Sequence, residues 1–208
     1  MNNADDRRHS PAAERNQGPI LAVLQRVLPI NGIALEIAAG TGQHAAHFAA
    51  GLPGWHWLPT DGDVDASNSI TAWCSGIPNV LPALHLNLLT AAEDAPVWPG
   101  VPVPLDAIFC ANLLHIAPWA ICAALMQGGA QHLAATGLLI TYGPYAEDGV
   151  PTAPGNVAFD ADLRQRNPAW GLRRLTDVAQ QAAAAGLALQ ERVPMPANNL
   201  LLVWARPR

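Results

Sequence analysis

Apolar positions along the chain come in short runs and in helically spaced stripes that alternate. Ile33, Leu35 and Ile37 form a run that reads as a buried strand, and Ala45, Ala46, Phe48 and Ala49 follow at helical spacing, so a glycine-bearing turn joins a strand to a helix. The order then repeats. WHWLP from Trp55 predicts a second strand ending near Pro59 or Thr60, and a helix starts near Ala66 or Ser67 with Ile70, Ala72 and Trp73. Val80–Leu89 reads as another strand, and Ala107–Phe109 as a central one followed by a helix over Ile121–Ala135. In that helix Gly128-Gly129 marks either a break or a close packing contact. Gly137 precedes a strand over LLITY, and a last helix over Leu175–Ala185 ends at Gly186. Leu187–Val193 and Leu200–Trp204 then predict two strands, joined through the polar, proline-bearing PMPANN as a hairpin. The whole pattern is α/β, a mixed sheet with an antiparallel terminal pair.

Ahead of the first strand, Ser10 is placed to cap a helix with Pro11 at its first position and Glu14 in its first turns. Gly18-Pro19 is read as a break, with a second helix carrying Ile20, Val23, Leu24, Val27 and Leu28. Residues 1–10 are polar and read as a flexible terminus; residues 11–208 read as one domain with a helical lid at its start.

Composition narrows the partners. With 208 residues, 50% of them hydrophobic, the chain can bury a substantial core as a monomer or homodimer. The formal net charge is −5 and only 13% of residues are charged, which argues against a broad phosphate-tracking surface and hence against nucleic acid as partner. Cys74, Cys110 and Cys122 have no metal-ligand spacing, so no metal is expected and a cytoplasmic chain with free thiols is the simplest reading. No signal peptide opens the sequence, and no apolar run is long enough to span a bilayer.

The candidate chemistry gathers at the predicted strand ends. Gly40 and Gly42 can bring backbone close to a ligand at the start of a helix with unsatisfied N–H groups. Gly40-x-Gly42-x-x-Ala45 with Asp61 roughly 20 residues on passes as a dinucleotide fingerprint, and the spacing alone does not decide between cofactors. Glu36 shifts the balance, because a carboxylate beside the turn repels a pyrophosphate and attracts a cationic aminoacyl group. Asp61 is placed to accept from both ribose hydroxyls, or else to cap its turn. Asn87, with Leu86 and Leu88, is a candidate adenine contact; its amide could equally close its own turn. Asn112, His115 and Trp119 follow the central strand, where His115 is either an acid–base group or a buried structural histidine. Tyr142 and Tyr145 end the next strand and either line an acceptor pocket or pack.

ExxxGxG after an apolar strand resembles the first motif of the Rossmann-like methyltransferases. ERNQGPI, LEIAAGTGQHAAHFA, the NLLHIAPW and TYGPY strand ends, FDADLRQRNPAWGLRRL and MPANNLLLVW together resemble a small group of class I S-adenosylmethionine-dependent methyltransferases long described only as a conserved domain of unknown function. The resemblance implies a seven-stranded sheet of order 3-2-1-4-5-7-6 and S-adenosylmethionine as cofactor. It implies cofactor contacts at Glu36, Gly40, Gly42 and Asp61, and departs at Asn87, where related methyltransferases commonly carry an aspartate; Ala38, Asn87, Leu88 and Asn112 complete the expected cofactor set, and His115, Asn112 and Tyr145 are the expected catalytic residues. The shared blocks imply a common pocket of Asn16, Asn112, His115, Tyr142, Trp170, Met195, Asn198 and Asn199, and Arg15, Trp119 and Tyr145 are expected beside it as acceptor contacts. The expected reaction is methyl transfer to oxygen, nitrogen or sulfur of a small molecule. The alternatives are an NAD(P)-dependent oxidoreductase and a non-catalytic ligand-binding or partner module.

Overall fold

A computed structural model describes residues 6–91 and 97–207, so residues 1–5 of the terminal segment and Pro96, at the start of the proline-rich connection, lie outside the described residues. Helix α1 (Pro11–Val27) precedes strand β1 (Gly32–Ile37), helix α2 (Gln43–Gly51), strand β2 (Trp55–Asp61) and helix α3 (Ala66–Cys74). Strand β3 (Leu84–His85), the single turn α4 (Leu88–Ala91), β4 (Leu105–Ala111), α5 (Ala120–His132) and β5 (Leu133–Gly143) follow. The remainder is β6 (Tyr145–Ala146), α6 (Pro154–Arg166), β7 (Arg173–Arg174), α7 (Leu175–Ala184), β8 (Ala188–Met195) and β9 (Asn199–Ala205).

Seven strands form one sheet in the order β3-β2-β1-β4-β5-β9-β8. The first five are parallel and β9 runs antiparallel to both neighbours. Counted within this sheet alone the order is 3-2-1-4-5-7-6, the class I methyltransferase arrangement. A dinucleotide-binding sheet of order 3-2-1-4-5-6 has no such inserted antiparallel strand. β6 and β7 pair separately beyond the end of β5.

Strand alternation builds two apolar layers. Leu35, Ile37, Ile108, Cys110 and Leu139 join Ile121, Leu125, Met126, Val178 and Ala182 of α5 and α7. Ala34, Ala107, Phe109, Ile140 and Tyr142 face the other way, onto Ile20, Val23, Leu24, Ala45 and Phe48 of α1 and α2. Each fully buried large side chain contributes on the order of 1.5–3 kcal/mol.

Two expectations change, and a third, left open between two alternatives, is decided. Gly18-Pro19 does not break α1, which is one helix of 17 residues with Pro19 inside it. Proline removes only the bond that ends at the Arg15 carbonyl, Arg15 and Gly18 are exposed, and the stripe Ala13, Ile20, Val23 and Leu24 packs continuously across the site. Val80–Leu89 is not one strand either. Trp57 donates to the Asn79 carbonyl and accepts from Leu81 N, and the Asp61 carbonyl accepts from Leu86 N, so Pro59 between them presents no N–H to this edge. Pairing survives as an isolated bridge at Val80 and the two residues of β3. Finally, Gly128-Gly129 is a packing contact: α5 is unbroken, and a Cβ on Gly128 would stand 2.4 Å from the Trp98 ring.

Of the terminal segment, Arg7 to Ser10 run along α3 and the start of α2. Arg7 Nε donates to the Ala72 carbonyl, Arg8 N to Ser69 Oγ, and Ser10 N to Gln43 Oε1.

Candidate active site

Four non-glycine residues have positive φ among those described, namely Ala38, Asn112, Ala197 and Asn198. All four lie where the parallel strands end, after β1, after β4 and in the β8–β9 turn beside the end of β5. A left-handed alanine costs roughly 1–2 kcal/mol, and such strain collects at ligand sites because the surrounding structure enforces it. This edge is also where open α/β sheets hold their ligands.

The glycine turn is fixed by Asp61. Gly40 N donates to Asp61 Oδ2 at 2.8 Å, Asp63 N donates to Oδ1 at 2.8 Å, and Ala39 N reaches the Thr60 carbonyl at 2.9 Å. Both carboxylate oxygens are thus oriented and each keeps a further lone pair. Gly40 has φ +59°, and a Cβ there would meet nothing closer than 4.0 Å, so the front of the turn is open. Gly42, at φ +89°, lies against α3, where a Cβ would come within 2.6 Å of Ile70 Cα. A cavity of about 330 Å³ opens beside Asp61, lined by Asp63, Val64, Ser67, Ile70, Ala83, Leu84 and His85. Larger hollows, about 500 Å³ beside Ile30 and Trp55 and about 410 Å³ between α3 and Val80–Ala83, offer no charged side chain.

Glu36 differs from its expected role. Its side chain is buried beneath the turn, where Oε2 accepts from Trp57 Nε1 at 2.7 Å. Burial pushes its carboxyl up to about 8, the Trp57 bond opposes that, and the nearby Asp61 charge adds to it. At neutral pH the ligand-free chain therefore carries Glu36 mainly as the neutral acid, and the argument from carboxylate charge against a pyrophosphate does not hold. What Glu36 does is join β1 to β2 under the turn. Trp57, its partner, was missed in the sequence because a tryptophan in an apolar strand reads simply as core.

The adenine candidates are also altered. Asn87 Oδ1 accepts from Leu89 N at 3.0 Å and so closes its own turn. The Leu88 side chain belongs to the core and does not face a ligand.

Asn112 and His115 meet around Gly143. A Cβ on Gly143 would lie 2.4 Å from His115 Nε2 and 3.2 Å from Asn112 Oδ1, so only glycine leaves room for both. Asn112 N donates to the Tyr142 carbonyl at 2.8 Å. The His115 ring is wholly buried and neither nitrogen has a hydrogen-bond partner. Burial, with the Arg173 charge adding to it, pushes it down to about 3; the Gly171 carbonyl, outside hydrogen-bonding geometry, and Asp160 pull the other way. The ring is neutral at pH 7 and has no solvent path. Tyr145 departs from its expected catalytic role. Its hydroxyl donates to Thr141 Oγ1 at 3.0 Å inside the core, where Trp204 Nε1 donates to the same oxygen at 3.1 Å. Burial raises its pKa further from the physiological range.

The expected acceptor residues fall into separate groups. Asn16 and Tyr142 lie on the α1 side, with His44 Nε2 2.7 Å from Asn16 Oδ1. Tyr145, Met195, Asn198 and Asn199 line a different hollow of about 220 Å³ with Asn156, whose Nδ2 donates to the Asn198 carbonyl. Trp119 and Trp170 are covered by guanidinium groups, Arg173 at 5.5 Å and Arg166 at 5.3 Å from the ring centroids. Arg173 also donates to the Leu114, Ala117 and Ala169 carbonyls, which pins the segment carrying His115; nothing in the run of arginines there singled it out. No group of three or more metal-ligating side chains occurs among the described residues. No helix among them is long and apolar enough to cross a membrane.

A family model described as "Protein of unknown function (DUF938)" matches residues 7–206. Among solved structures, the chain is similar to the mitomycin 7-O-methyltransferase at 14% identity and a TM-score of 0.78, covering 94% of this chain and 54% of the other. It is similar to an O-methyltransferase family 2 protein from Planctomyces limnophilus in complex with apigenin, at 16% identity and a TM-score of 0.72, covering 94% and 60%. A methyltransferase of calicheamicin biosynthesis in its SAH-bound form matches at 15% identity and a TM-score of 0.71, over 94% and 55%. The chain therefore spans little more than half the length of these proteins, and at such identities the likeness is one of fold.

Proposed function

Because the chain belongs to the family described only as a protein of unknown function (DUF938), its activity must be argued from its own strand-end site, and we propose that it is an S-adenosylmethionine-dependent methyltransferase acting on a small molecule. The observation that carries this reading is the Asp61 carboxylate, held by Gly40 N at 2.8 Å beside an open glycine turn, in a sheet with the inserted antiparallel strand. The residues fit the cofactor. Asp61 has two oriented oxygens for a ribose diol, the 330 Å³ cavity beside it takes the base, and the turn leaves its front free for the aminoacyl end.

When bound, S-adenosylmethionine supplies a methyl carbon on a positively charged sulfur. Asp61 and the glycine turn would hold that group, which would supply an electrophilic methyl to the acceptor. The chain's part is to hold acceptor and methyl in line and to keep water out, which accounts for large rate effects without acid–base help. His115, sealed and weakly basic, supports the Asn112 turn in this scheme. Support for a small acceptor comes from the scarcity of cations and from the similar fold of proteins that act on mitomycin or bind apigenin.

Parallel calorimetric titrations with S-adenosylmethionine, NAD and NADP test the reading. S-adenosylmethionine alone should bind tightly. Binding of NAD or NADP without it would assign the glycine turn to a dinucleotide.

A further inference from the structure

The segment ahead of α1 reaches the glycine turn through two buried side chains, Ser69 and Gln43. Arg8 N donates to Ser69 Oγ at 2.9 Å, and the same hydroxyl donates to the Thr41 carbonyl at 2.7 Å. Ser10 N donates to Gln43 Oε1 at 2.5 Å, and the same oxygen accepts from Thr41 Oγ1 at 3.1 Å. Thr41 is thus held at its carbonyl and at its hydroxyl, and each of the two side chains that hold it takes a second bond from the segment Arg7–Ser10.

The residue so held stands between Gly40 and Gly42, both at positive φ. Glycine imposes little backbone preference of its own, so the orientation of the peptide groups between them depends on bonds from outside the turn. Ser69 alone does not secure that orientation. A serine inside a helix can turn its hydroxyl back on the carbonyl four residues earlier, here Asp65, and leave Thr41. The Arg8 N–H fixes the oxygen and favours the one arrangement in which the Arg8 donor, the hydroxyl and the Thr41 carbonyl are all bonded. The segment is itself fastened away from the turn, on the outer side of α3. Trp73 Nε1 donates to the Arg8 carbonyl at 2.8 Å, Arg7 Nε to the Ala72 carbonyl at 3.0 Å, and the Arg7 guanidinium lies 5.2 Å from the Trp73 ring centroid.

We propose that Arg7–Ser10 is a strap whose docking sets the cofactor turn, with Ser69 and Gln43 as the positioning residues that carry its effect to Thr41. Docking of the strap and binding of the cofactor are then coupled, each favouring the other by the same factor. The proposal rests on the S-adenosylmethionine reading of the strand-end site.

S-adenosylhomocysteine is the probe, titrated by calorimetry into the full chain and into Arg8→Pro, Ser69→Ala and the double variant. Arg8→Pro removes the strap N–H and leaves every side chain of the turn in place. It should weaken binding about fivefold or more, as should Ser69→Ala. The double variant should lose no more than the larger single loss, because both act along one path. Amide exchange at Arg8 and Ser10, followed by NMR, is the readout that a merely structural strap would not move. These amides lie in a surface segment and exchange by its local opening, so a ligand that only stabilises the fold as a whole does not slow them, whereas a coupled ligand does. Saturating S-adenosylhomocysteine should slow both by about the factor that Arg8→Pro costs in affinity. Unchanged affinity in Arg8→Pro overturns the proposal, as does exchange at Arg8 and Ser10 that is equally fast with and without the ligand, or a double variant whose loss is the product of the two single losses. If Ser69→Ala does not fold, Arg8→Pro and the exchange rates decide. A parent chain that binds the probe while the strap amides ignore it defeats the strap alone. A parent chain that does not bind it defeats the S-adenosylmethionine reading, and with it the strap's role toward that cofactor.

Discussion

Replacing Glu36 by Gln should make the protein more stable, and increasingly so as the pH rises. The carboxyl is buried, keeps only Trp57 as a donor, and is pushed from 4.5 up to about 8. In the unfolded chain it loses its proton near its ordinary value, so between about pH 4.5 and pH 8 the native state holds a proton that the unfolded state has released. Stability therefore falls as pH rises through this window, the reverse of a salt-bridged carboxylate. At about 1.4 kcal/mol per pH unit the loss between pH 5 and pH 8 is on the order of 4 kcal/mol as an upper bound. Glutamine can still accept from Trp57 and has no proton to lose. Urea unfolding of the parent and Glu36→Gln at half-unit pH steps isolates this group, because other titrations cancel in the difference. The two should nearly coincide at pH 5 and separate by roughly 3–4 kcal/mol in favour of Gln at pH 8. A difference that is flat with pH, or a parent that gains on the variant as pH rises, would refute a neutral Glu36.

His115→Leu should leave stability within about 1 kcal/mol of the parent or raise it, because both ring nitrogens are buried without partners and removing an unpaired polar group carries little penalty; a loss above about 2 kcal/mol in urea would mean that the ring does hold a bond. Tyr145→Phe removes the bond to Thr141 and should cost about 1 kcal/mol, with S-adenosylmethionine affinity by calorimetry unchanged. A tenfold loss of affinity instead would return the Tyr145 hydroxyl to the site.

The β1–turn–α2 unit was legible because an apolar run, two glycines and a helical alanine stripe all point to one structure. The contact between Asp61 and the glycine turn was legible by spacing, and Asp61 also closes its own turn through Asp63 N. The reading of Glu36 failed in its charge, since a strand pattern gives the direction of a side chain but not the desolvation it meets there. Pro19 misled because a proline penalises a helix locally while packing of the whole apolar stripe decides whether the helix continues. In β2 the strand is expected to end near Pro59 or Thr60 and runs on to Asp61, and only the facing of its neighbours' backbone groups shows that Pro59 blunts the β3 edge. Tyr142 and Tyr145 are separated by Gly143 and Pro144, so their alternation could not be counted through, and they point into opposite layers of the fold.

Cofactor binding at Asp61 is tested by the affinity of S-adenosylmethionine for the parent chain and for Asp61→Asn, by calorimetry at neutral pH with both proteins shown to be folded. Asparagine keeps an acceptor for Gly40 N but loses the charge and the paired acceptance that a ribose diol requires. The parent should bind tightly and the variant at least tenfold more weakly, a loss of about 1.4 kcal/mol or more. Equal affinity in the two proteins, or no binding by the parent, would contradict it.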